Sequence, residues 1–73
     1  MEFKTLTPLT LGRAVQERRS ELGLTQQQLA DQAFVSRHWL IDLERGAEGA
    51  SIGKVLMVLH VLGLDTVLRE KGV

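Results

Sequence analysis

The chain has 73 residues, no cysteine, one proline, and nine basic residues balanced by nine acidic ones; 44% of it is hydrophobic and 25% charged. That is an ordinary globular balance in one small domain with a marginal core, and it excludes disulfides and thiolate metal sites. Zero net charge excludes a histone-like protein but leaves DNA binding open, because what counts there is charge placed on one face.

No apolar run reaches the roughly 18 residues of a membrane span, and Met1-Glu2-Phe3-Lys4-Thr5 does not read as a signal peptide. The expected compartment is therefore the cytoplasm. A core this small also points to a dimer, because association buries more apolar surface.

The first predicted helix covers residues 8–22. Thr7 is its cap and Pro8 its first residue, where a missing N–H costs nothing. Leu11, Val15, Arg19 and Leu22 form its stripe, and Gly23 stops it. The second starts at Thr25, with Gln28 three residues on as a capping box, and ends near Ala33. Its inner face is Leu29, Ala30 and Ala33. After a turn at Phe34-Val35, Ser36 caps a third helix over 36–45, with Leu40, Leu43 and Glu44 on one face and Gly46 as the stop. Ser51 is expected to cap a fourth helix, which runs to about Leu62 and ends at Gly63. That helix is apolar almost all round, which implies burial on more than one side and hence a second subunit. The segment Leu64-Asp65-Thr66-Val67-Leu68-Arg69-Glu70 alternates and reads as a short strand. Its unpaired backbone would be satisfied by its copy across a two-fold axis. Phe3-Lys4-Thr5-Leu6 is a weaker second strand. Val58, Val61, Leu64, Thr66, Val67 and Leu68 are the expected dimer interface.

Two short capped helices joined by a tight turn form a helix-turn-helix, whose second helix can lie in a DNA major groove. With Leu40 and Leu43 inward, Arg37, His38, Ile41 and Arg45 fall on or near the outward face. Arginine can donate two hydrogen bonds to guanine, and histidine one to a base or phosphate. Arg37, His38 and Ile41 are thus the candidate base readers. Gln26, Gln28, Ser36, Trp39, Arg45, Ser51 and Lys54 are the candidate backbone contacts, grouped around helix N-termini that attract anions. On the caps alone, a plain helical bundle with solvated charges accounts for the same pattern equally well.

Leu11-Gly12-Arg13, Leu22-Gly23-Leu24-Thr25-Gln26, Leu29-Ala30, Val35-Ser36-Arg37 and Leu43-Glu44-Arg45-Gly46 together resemble the lambda/434-repressor class of helix-turn-helix domain, the XRE or Cro/C1 family. Within that class, Thr7-Pro8, the run from Val58 to Leu64 and the segment Thr66-Val67-Leu68-Arg69-Glu70 look most like HipB-type antitoxins. The resemblance implies a dimeric repressor of its own operon that restrains a HipA-type serine/threonine kinase toxin, with C-terminal strands paired across the dimer. It places Gln26 at a phosphate-contacting position and Arg37 and His38 at base-reading ones. Trp39 and Ile41 depart from the class pattern.

Arg19 sits on an apolar stripe and needs a partner. Glu44, on the inward face of its own helix, is the natural one, and the class has a matching internal pair. Trp39 fits DNA-side packing, the edge of the core or a protein contact. His38 and His60 lie on different helices with no carboxylate cluster at ligand spacing, so no metal site is expected. Gly49-Ala50-Ser51-Ile52-Gly53-Lys54 lacks the spacing and the following Ser or Thr of a phosphate loop. No nucleophile has a base in reach, so neither an enzyme nor a cofactor is expected.

The expected architecture is all-α: a lambda-repressor-like helix-turn-helix domain of four to five helices, with a short C-terminal β-strand pairing across a dimer. One domain spans 1–73, with an arm at 1–7, a helical core at 8–63, the helix-turn-helix at 25–45 and a strand and tail at 64–73. It is expected to bind a palindromic operator with half-sites about 34 Å apart or a multiple of that. Zero net charge implies modest nonspecific affinity.

Overall fold

The computed structural model describes residues 6–71. Four helices follow in order: α1 Pro8–Glu21, α2 Gln26–Ala33, α3 Arg37–Glu44 and α4 Ile52–Val61. Three of the four expected caps form. The Thr7 side chain accepts from the Thr10 backbone N–H at 3.1 Å, Thr25 from Gln28 at 3.0 Å and Ser36 from Trp39 at 3.0 Å. Thr25 and Gln28 complete a reciprocal capping box, because Gln28 Oε1 accepts from the Thr25 backbone N–H at 2.8 Å. Ser51 departs from expectation. It holds the cap position of α4, but its side chain makes no capping bond.

α1 packs on α3, and α2 packs on both α3 and α4. Their shared core is Val15, Leu29, Ala30, Ala33, Leu40, Leu43, Val55, Val58 and Leu62. The crossing of α1 over the end of α3 depends on Gly12. A Cβ there would lie under 3.0 Å from the backbone carbonyl groups of Leu43 and Glu44, so only a residue without a side chain lets the two helices approach this closely. Arg18 Nε donates to the Leu62 carbonyl oxygen at 3.0 Å. This ties α1 to the last turn of α4, where carbonyls lack helical partners and attract a cation.

Three expectations are corrected. Residues 64–70 form no strand, and no strand occurs among the described residues. A ladder needs a neighbouring strand, and the described residues offer none. Residues 3–5 of the weaker strand, and most of the arm, lie outside the described residues. Val58, assigned to the dimer interface, is 0% exposed within the chain's own core, so it has no surface left for a partner. Val61 and Leu64 are half-buried against that core, whereas Val67 and Leu68 are exposed. Leu22, placed on the inner stripe of the first helix, is exposed at its end.

The apolar excess of α4 has a specific location. Ile52, Leu56 and Met57 are exposed, on the side of the helix away from Val55 and Val58. Among the described residues, no helix is long and apolar enough to cross a membrane, and no group of three or more His, Cys, Asp or Glu is placed to hold a metal ion.

Candidate nucleic-acid interface

The burial of Leu40, Leu43 and Glu44 fixes the rotation of α3. Arg37, His38 and Arg45 are then exposed and Ile41 is half-buried. The three charged or titratable side chains expected on the outward face are therefore on it, and Ile41 lies at its margin. Ser36 caps this helix, so its first turn, where base contact is most direct, is held in shape.

His38 is not isolated. Its Nε2 lies 3.4 Å from Asp42 Oδ2, one turn on, with the imidazole 87% exposed. The pair limits the rotamers His38 can sample without withdrawing it from solvent. Asp42 was not among the candidate residues, although its i,i+4 spacing from His38 is visible in the sequence.

A polar cleft of about 270 Å³ opens beside α3, lined by Gln16, Gln26, Arg37, Ile41, Glu44 and Arg45. It brings together the middle of α1, the start of α2 and the outer side of α3. Glu44, which lines the cleft, belongs to an ion pair. Arg19 Nε and Nη2 donate to the two Glu44 oxygens at 2.8 and 3.1 Å, the fork-on-carboxylate geometry that makes such pairs strong. Arg19 Nη1 donates to the Leu24 carbonyl at 3.0 Å, and Gln26 Nε2 donates to Glu44 Oε1 at 3.2 Å. The expected Arg19–Glu44 pair is therefore present and includes Gln26. One amide hydrogen of Gln26 is thus turned inward, while the residue lines the cleft. Gln16 was missed by the sequence reading; it lies one turn before Arg19 and shares the cleft.

Gln28 divides its functions. Its carbonyl oxygen closes the cap of α2, and its amide NH₂ stays on the exposed end of that helix. Trp39 packs on the edge of the core and stays half-exposed. Lys54 Nζ lies 5.7 Å from the centroid of the Trp39 ring, within cation–π range. The indole therefore links the start of α4 to the outer side of α3 and holds a lysine there. Ser51, exposed at the start of α4, lies three residues before that lysine.

A helix-turn-helix domain family model matches residues 10–71. The chain belongs to the helix-turn-helix domain family, in its XRE-type form. It is 46% identical over 72 residues to an uncharacterized HTH-type transcriptional regulator of Sinorhizobium fredii, covering 99% of this chain and 95% of that relative. It is 38% identical over 57 residues to the immunity repressor protein of Bacillus phage phi105, covering 78% of this chain and 40% of the repressor. Among solved structures, the HipA-HipB-O2-O3 complex contains a chain of the same fold, with a TM-score of 0.84 at 21% identity over 96% of this chain and 99% of that one. Family membership makes this helix-turn-helix protein a DNA-binding transcriptional regulator.

Proposed function

We propose that this helix-turn-helix chain is a sequence-specific repressor that acts in the cytoplasm. It binds a palindromic operator as a two-fold dimer and occludes its own promoter. The observation that carries the reading is the exposed face of α3. Arg37 and His38 stand at the first turn of a capped helix, with Ile41 one turn on. Gln26, Gln28, Ser36, Trp39, Arg45, Ser51 and Lys54 surround them as groups for the phosphate backbone. Dimerization is supported by the exposed apolar surface of α4 and the tail, where Leu56, Met57, Val67 and Leu68 are 46%, 41%, 72% and 95% exposed. Of the interface residues expected from sequence, Val61, Leu64, Thr66, Val67 and Leu68 remain available and Val58 does not.

Within that reading, the regulator is a HipB-like antitoxin that also restrains a HipA-type serine/threonine kinase toxin. The shared fold with a HipA-bound chain over nearly its full length supports this. The second reading is a stand-alone phage-type regulator. It is favoured by the higher sequence identity to a phage immunity repressor.

The test of DNA reading is a titration against the DNA just upstream of the chain's own coding region, with a scrambled duplex as control, at two salt concentrations. The repressor is expected to prefer its own upstream DNA at both. Equal binding to the two duplexes, weakening in parallel with salt, would count against sequence reading. Recovery of the protein from its own cells separates the two narrower readings. A stoichiometric kinase partner supports the antitoxin, and a dimer on DNA alone supports the stand-alone regulator.

A further inference from the structure

We propose that Ile41 reads the 5-methyl group of a thymine, within about two base pairs of the base read by Arg37. The inference rests on α3 lying in the major groove, as argued above, and adds which base one half-site must carry. Ile41 is half-buried but stands outside the apolar cluster of the described residues. The half-buried apolar residues Val35 and Trp39 pack on that cluster, whereas Ile41 lines the polar cleft with Gln16, Gln26, Arg37, Glu44 and Arg45. The core therefore does not account for an aliphatic residue at this position.

The major groove supplies a matching surface. Of the four bases, only thymine presents a methyl group there; the others present donors and acceptors alone. Isoleucine suits such a contact because its β-branched side chain holds essentially one χ1 rotamer in a helix, so the branch is placed before DNA arrives. The spacing also fits. Four residues of helix advance by about 6 Å, and successive bases are about 3.4 Å apart along a strand. Arg37 on a guanine thus sets Ile41 over a base roughly two steps away, while the polar rim of the cleft meets the backbone.

The test begins with duplexes selected by the wild-type chain from a random pool. Each thymine of the selected site is then replaced in turn by uracil, which removes the methyl group and nothing else. One thymine per half-site is expected to show about fourfold weaker binding on replacement, the effect of losing one buried methyl group. The Ile41→Ala chain should bind the thymine and uracil duplexes equally. A converged site at which no uracil weakens binding overturns the proposal while leaving DNA reading intact, and so does a uracil effect that persists in Ile41→Ala. A pool that never converges overturns both. The uracil series on the wild-type chain needs no variant to fold, and circular dichroism verifies that Ile41→Ala keeps its helices.

Discussion

Arg19 and Glu44 are joined by two hydrogen bonds, 2.8 and 3.1 Å long, across the contact between α1 and α3. Their side chains are 13% and 4% exposed. A carboxylate so enclosed is tolerated because both of its oxygens are paired, by the arginine fork on one side and the Gln26 amide on the other. Among the described residues, no buried side-chain nitrogen or oxygen lacks a partner. Truncating one member leaves the other charge without its counterion, at a cost of about 3–5 kcal/mol. Urea unfolding of Arg19→Ala and Glu44→Ala is expected to show losses of that size. The paired replacement Arg19→Met with Glu44→Leu should recover most of the stability, because it removes both charges together. If each single truncation cost under 1 kcal/mol, the pair would be a surface contact in energetic terms.

Gly12 gives the second prediction. Its Cα faces the carbonyls that end α3, and an added methyl group has no flexible side chain to displace there, only backbone. Gly12→Ala gains helix propensity but forces α1 and α3 apart, and the overpacking penalty of about 1–3 kcal/mol is the larger effect. At about 4–8 °C per kcal/mol for a chain of this size, thermal unfolding resolves the change. A melting temperature equal to or above that of the wild type would contradict the close crossing.

Phe34 points the other way. It closes α2 at φ 58°, in the left-handed region, with 86% of its surface exposed. An L-residue with a bulky side chain costs about 1–2 kcal/mol in that region, and exposure means that little packing offsets it. Phe34→Gly removes the strain and adds about 0.5–1 kcal/mol of unfolded-state entropy. The net expectation is a gain of roughly 0.5–1 kcal/mol in denaturant unfolding. A loss would mean that the phenyl ring makes a contact beyond the single chain.

What the sequence disclosed follows a physical pattern. Caps, stops and apolar periods are local, so the four helices, the Arg19–Glu44 pair and the outward set of Arg37, His38 and Arg45 were all legible from spacing. The failures concern what a residue meets across the fold or outside the chain. Val58 was assigned to a partner because α4 is apolar all round, yet periodicity alone does not say which of two apolar sides faces α2. The strand at 64–70 rests on alternation, but a strand exists only with a neighbour, and none lies among the described residues. Ser51 matched a cap by residue type, whereas cap formation depends on a rotamer that spacing does not encode. Gln16 and Arg18 are unremarkable on α1 alone. Their roles come from α2 and α3 in one case and from the end of α4 in the other.

The two ends of the DNA face are expected to respond differently to substitution. Arg37 stands where α3 begins, and its fork can take both acceptors of a guanine. Arg37→Ala should cost about 1–3 kcal/mol on the selected site and relax the preference at one base position. Lys54 is held over Trp39 at the start of α4, where it can neutralise a phosphate but read nothing. Lys54→Gln should weaken selected and scrambled duplexes by the same factor and lower the slope of log affinity against log salt by about one. Trp39→Leu, which keeps an apolar edge on the core but removes the ring beneath the ammonium group, should reproduce part of the Lys54→Gln effect without altering base preference. Titrations of the three variants on both duplexes at several salt concentrations separate these outcomes. A change of base preference in Lys54→Gln, or a uniform loss in Arg37→Ala, would exchange the roles assigned to the two residues.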